Sequence, residues 1–168
     1  MINILFNYIG LYAPIILFFF TLFLLRNLKT YLLFFVSGFI LNNILNILLK
    51  LLIKEPRPSK DIKILEIAVN NGVRVGFDKF GMPSGHAQNC GFCLFFIFFT
   101  LYNPFITFFY LFISIISLFQ RYLFHNHTIL QLIFGFIIGS IFASFTYFLA
   151  NKTVVGNIQV KKDDDAPI

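Results

Sequence analysis

Apolar residues run along this chain in long blocks that charged residues interrupt at only a few places. Asp, Glu, Lys and Arg are absent from residues 1–25, 30–49, 80–120 and 122–151. Each gap is long enough to cross the hydrocarbon of a bilayer, which takes about 20 residues of helix. Reading spans from the gaps predicts helices near 5–25, 31–52, 86–102, 104–124 and 128–150, with Asn103-Pro104 breaking the third from the fourth. The predicted fold class is all-α, a multi-pass transmembrane helical bundle of about five spans. The first apolar run has no cation ahead of it and no small-residue cleavage site, so it is expected to stay as a span rather than leave as a signal peptide.

This alternation has a geometric consequence. The ends of the second and fourth helices and the starts of the third and fifth must share one membrane face. The long connection Lys54–Pro83 mixes charged residues and glycine around a short apolar stretch, Ile64–Val69, that suits a surface strand or an interfacial helix equally well. Residues 151–168 read as a polar tail with little to bury, expected to be mobile. Gly135, Gly139 and Ala143 repeat every four residues in the fifth span, a small-residue stripe expected to pack inside the bundle, with homodimerisation the alternative. Outside the motif residues, Lys54, Lys60, Lys63, Arg74 and Lys79 on the loop side balance Arg26, Lys29, Lys152, Lys161 and Lys162 opposite, so charge bias does not orient the chain.

Composition agrees with a bilayer and narrows the partners. Hydrophobic residues make up 58% of the 168 positions and charged ones 12%, far from a soluble average. The net charge of +6 could suggest nucleic acid, yet 8 of the 13 cations fall within Lys50–Lys79 or at Arg121, around one membrane face. Anionic head groups or phosphate are the simpler partners. Cys90 and Cys93 form Cys-x-x-Cys, but inside an apolar helix this reads as core packing rather than redox chemistry.

Three clusters at the shared face carry the candidate chemistry. In Lys50-Leu-Leu-Ile-Lys-Glu-Pro-Arg57-Pro58, Lys50 ends a helix and Arg57 is held between two prolines on stiff, non-helical backbone. A stiffened guanidinium suits bidentate phosphate binding, whereas Lys50 or Lys54 alone could be head-group anchors. In Gly81-Met-Pro83-Ser84-Gly85-His86, Ser84 reads as an N-cap and Gly85 lets backbone amides approach a ligand. Such a helix start is an anion site that needs no metal, and His86 beside it is a candidate proton donor. The third cluster, Gln120-Arg121 through His125-Asn-His127 to Gln131, joins the fourth and fifth helices. If His127 opens the fifth, Gln131 lies one turn on and within reach of the ring. His125 has no assigned role and is expected to be a polar residue at the membrane interface.

Lys50-x6-Arg57-Pro58, Pro83-Ser84-Gly85-His86 and Arg121-x5-His127 resemble, in order, the three motifs of the type 2 phosphatidic acid phosphatase and haloperoxidase superfamily. The resemblance implies that family's helical architecture and a cofactor-free and metal-free phosphatase. Lys50, Arg57 and Arg121 would bind phosphate with Ser84 and the amide of Gly85. His127 would attack phosphorus to form a phosphohistidine, and His86 would protonate the leaving oxygen. Gln120 and Gln131 depart from the family's usual Ser and Asp. Replacing an orienting Asp by an amide costs about 10⁴-fold in a serine-protease triad, which argues for weak activity. Glu55-Pro-Arg-Pro58, Lys79-Phe-Gly-Met-Pro-Ser84 and His127-Thr-Ile-Leu-Gln131, however, resemble the dolichyl diphosphate phosphatase branch, which also carries Gln there. That implies a polyprenyl diphosphate substrate and an endoplasmic reticulum membrane. A general lipid phosphate phosphatase, and a lipid-binding membrane protein that kept the pocket but lost catalysis, are the other readings. A soluble vanadate haloperoxidase fits poorly with a chain that is nearly all span. The expected partners are a lipid phosphate and the bilayer, not nucleic acid, with an oligomer possible.

Overall fold

The computed structural model describes residues 2–58 and 76–164 of the chain; the Ile64–Val69 stretch lies outside them. Among the described residues five α-helices follow in order: α1 (Ile2–Leu24), α2 (Lys29–Ile53), α3 (Gly85–Leu101), α4 (Pro104–Leu123) and α5 (Ile129–Asp164), with a 3₁₀ turn at Gly76–Lys79 before α3. The only β pairing among the described residues is an isolated bridge between Pro56 and Phe80. The helix boundaries follow local chemistry. Ser84 accepts from the Ala87 amide at 3.4 Å to cap α3. Asn103 accepts from the Phe105 and Ile106 amides at 3.0 and 3.1 Å, with Pro104 in the first turn of α4, where its missing N–H costs nothing.

Helix α3 is the axis of the bundle. It packs against α1 and α4 on one side and α2 and α5 on the other, and those outer pairs also touch each other. At 17 residues it is the shortest of the five, about 25 Å long at 1.5 Å per residue and at the lower limit for a span. The other four are long and apolar enough to cross a membrane. Surrounded by protein, α3 needs no lipid-facing stripe and can hold Gln88, fully buried, within its first turns. Apolar side chains point outward elsewhere: Phe105 is 85% exposed and Leu52 77%. A surface that greasy is the pattern of a bundle solvated by lipid.

The small-residue stripe of α5 faces α3. A Cβ at Gly135 would lie 2.5 Å from the Ser84 carbonyl oxygen, and one at Gly139 would overlap the carbonyl oxygen of Gln88 outright. Gly91 reciprocates from α3, where a Cβ would run into the Phe136 carbonyl. Backbone runs against backbone here, which fits packing inside the bundle. Further from the site, the rings of Phe35, Phe92 and Phe96 pack together at centroid distances of 5.3 to 6.0 Å, and Cys90 and Cys93 are buried as free thiols in the same core.

Helix α5 runs on past the apolar stretch, through Ala150 to Asp164. Asn151-Lys-Thr supplies no glycine or proline to stop the helix, and the Tyr31 hydroxyl donates to Asn151 at 3.1 Å.

Candidate active site

Every motif residue lies at one end of the bundle, where α2 and α4 finish and α3 and α5 begin. Lys50 and Arg121 occupy the last turns of α2 and α4. The negative ends of those helix dipoles favour cations there, while the start of α3 presents its positive end to the same space. The result is a cavity of about 520 Å³ whose cationic wall is Lys50, Arg57 and Arg121, with His86, His127 and Gly85 beside it. Lys50 and Arg121 are at most 9% exposed, so each sits in surroundings that strengthen its pull on an anion. No carboxylate is among the described residues that line the cavity.

His127 is 4% exposed and held at both ring nitrogens. Arg57 Nη1 lies 3.2 Å from Nε2 and can only donate, so Nε2 carries the lone pair. The proton then sits on Nδ1, which donates to the Gly81 carbonyl at 2.9 Å and approaches Gln131 Oε1 at 3.3 Å. Burial, then the charges of Arg57 and Lys50, push the imidazolium form down to a pKa of about 3, against the opposing pull of Gln131 and Gly81. His127 is therefore neutral near pH 7, with a bare nitrogen beside the cations.

His86 sits differently. Its Nε2 meets the Arg121 Nη2 donor and also the Leu11 carbonyl, 3.0 Å away. With the nitrogen bare, the arginine is its partner; with the nitrogen protonated, the carbonyl is. A ring placed between a donor and an acceptor can hold or release a proton without losing its partner, as a general acid and base requires. Leu11 comes from α1, three residues before Pro14, whose ring removes one N–H from that helix. The Gly10 carbonyl left over accepts from the Ser117 hydroxyl at 2.9 Å, tying that turn to α4.

Two proposed site residues stand behind the cavity rather than on its wall. Ser84 is fully buried and engaged as the α3 cap, while its amide donates to the Gln131 carbonyl at 3.1 Å. Gln131 is also fully buried, reaching the site only through His127. His125 is exposed at the end of α4 with φ of 51°, a left-handed turn residue outside the cavity lining. Gln120 is buried against Gly10, with its Oε1 lacking a hydrogen-bond partner among the described residues.

The structure adds residues that the motifs omit. Asn43, Asn46 and Asn89 also line the cavity. Asn42 donates to Asn89 at 2.8 Å, Asn89 to Asn43 at 2.9 Å, and Asn46 to Gln88 at 2.7 Å, so α2 and α3 are joined by an amide ladder at membrane depth. Asn42-Asn43 and Asn46 in α2 and Gln88-Asn89 in α3, amides within apolar helices, are the sequence signal for it. Among the described residues no three His, Cys, Asp or Glu side chains group as a metal site would require.

An anion cavity built from these three motifs at the end of a membrane helical bundle marks a class, and the comparison with known proteins agrees. Residues 30–154 match the PAP2 superfamily, and the chain belongs to that family. It is also 30% identical over 122 residues to the dolichyldiphosphatase of Saccharomyces cerevisiae (strain ATCC 204508 / S288c), a match covering 67% of this chain and 48% of that protein. The chain thus spans about half the length of the curated relative. No solved structure matches it significantly. Helix α1, which supplies Leu11, precedes the segment matched by the family.

Proposed function

We propose that this chain is a membrane phosphatase that hydrolyses a lipid-linked phosphate, most specifically a polyprenyl diphosphate, through a phosphohistidine. The observation that carries the reading is that two histidines and three cations from different helices line one cavity. Phosphoryl transfer asks chiefly for positioning and for charge placed around the transferring group, and Lys50, Arg57, Arg121 and the Gly85 amide offer both. In the first step the His127 Nε2 lone pair attacks phosphorus, the bond to the leaving oxygen breaks, and His86 gives that oxygen its proton. In the second, His86 takes a proton from water as the water oxygen attacks the phosphohistidine, releasing phosphate and restoring His127. Splitting one displacement into two lowers each barrier.

The polyprenyl diphosphate assignment rests on the motif resemblance and on the yeast dolichyldiphosphatase as a relative. The same resemblance points to the endoplasmic reticulum membrane. Purified protein should release phosphate from a polyprenyl diphosphate faster than from a phosphatidate or a soluble phosphomonoester, in the presence of chelator, and His127→Ala should abolish release. A preference for phosphatidate would favour the general lipid phosphatase reading. Tight binding of the diphosphate without turnover would favour a pocket that has lost catalysis.

A further inference from the structure

The Gln131 amide has one orientation that satisfies its neighbours. Its Nε2 donates to the Glu55 side chain at 2.7 Å and to the Pro56 carbonyl at 3.0 Å. Both amide hydrogens are thereby used. At the other end Oε1 accepts from the Thr128 amide at 3.2 Å and faces His127 Nδ1. Turning the amide over would set N–H against N–H at one end and oxygen against oxygen at the other. The Gly81 segment leaves space for this arrangement, since a Cβ there would lie 2.5 Å from Gln131 Oε1. The Gly81 amide also donates to the Glu55 carbonyl at 2.7 Å, so Glu55 holds the segment that supplies the other acceptor for His127.

We propose that Glu55 is a positioning residue for His127, acting through Gln131: an acceptor-only carboxylate one hydrogen bond removed fixes which end of the amide meets the imidazole. The inference deepens the proposed function, because it rests on His127 being the nucleophile. Where the resembling family usually has an acid directly against the histidine, this chain has an amide there and the acid one contact further back. Holding the proton on Nδ1 keeps the Nε2 lone pair directed at phosphorus. A group that only braced the fold would affect stability and substrate binding instead.

The test exchanges the two groups. Glu55→Leu should lower kcat by about 10- to 100-fold with little change in KM, the size seen when outer partners of metal-bound histidines are removed. Gln131→Glu should be impaired, because it puts two carboxylates at a contact now 2.7 Å long. Combining Glu55→Gln with Gln131→Glu restores one acid and one amide, and should recover kcat by about tenfold or more over Gln131→Glu alone, since the two sites are coupled. The exchange keeps side-chain size, so it remains informative if Glu55→Leu fails to fold. A double variant no faster than Gln131→Glu alone, or a folded Glu55→Leu with wild-type kcat, overturns the proposal. His127→Ala, run alongside, separates the failures: retained turnover there removes the nucleophile assignment itself, whereas its loss with an unaffected Glu55→Leu removes only the role of Glu55.

Discussion

His127 is buried, neutral and flanked by cations, and that combination sets a pH dependence. Its protonated form is disfavoured down to a pKa of about 3, so the lone pair that the proposed mechanism uses is present above that value and is lost as pH falls through it, not near the ordinary histidine range. The acid limb of kcat/KM should accordingly show no ionisation of the nucleophile near the ordinary histidine value of about 6.5. Arg57→Gln removes a cause of the depression, and should move that nucleophile ionisation upward while slowing the reaction. Comparing the two pH profiles checks both statements. A second expectation concerns Gly81, where a Cβ would collide with all three atoms of the Gln131 amide at 2.5 to 2.7 Å. Gly81→Ala should cost about 100-fold in kcat in single-turnover kinetics, as small displacements of a catalytic group do. At this scale the charged and imidazole side chains were readable in advance, because Lys50, Arg57, Arg121 and the two histidines are costly beside hydrocarbon unless a ligand uses them. The acceptors that control them were not. The carbonyls of Gly81 and Leu11 belong to no residue type, and Glu55, although part of a recognisable motif segment, had no role until the fold set it against Gln131.

At the scale of elements, the bundle depends on how closely α5 approaches α3. Gly139→Ala would drive a methyl into the Gln88 carbonyl oxygen, which is backbone and cannot rotate away. It should destabilise the protein by about 1–3 kcal/mol, as overpacking does, and lower the melting temperature in detergent. Gly156, further along the same helix, has nothing within 4 Å of where a methyl group would sit, so Gly156→Ala should be neutral or stabilising by up to about 1 kcal/mol. The repeat at Gly135, Gly139 and Ala143 showed that something approaches this face, though spacing does not say which helix it is. Helix placement followed from gaps in charge, and the breaks at Ser84 and Asn103-Pro104 followed from capping chemistry. The end of α5 escaped the same reasoning, because loss of hydropathy marks where lipid contact ends and not where hydrogen bonding ends.

For the molecule as a whole, the polar interior lies on one side of the Phe-rich core and opens at the membrane face where four helix ends meet. That placement suits a substrate whose phosphate is hydrophilic and whose chain stays in lipid. The amide ladder of Asn42, Asn89 and Asn43 carries polarity deeper than the cations do, between α2 and α3. Alternation of spans made the common face legible from sequence, while balanced charges left its orientation open. The most direct test of convergence on one phosphorus is covalent. A polyprenyl diphosphate labelled in its terminal phosphate, mixed with excess protein and quenched in alkali within a single turnover, should leave label on the peptide containing His127 and none on the His127→Ala variant. Full turnover with label on no histidine, or label on His86 instead, would contradict the account.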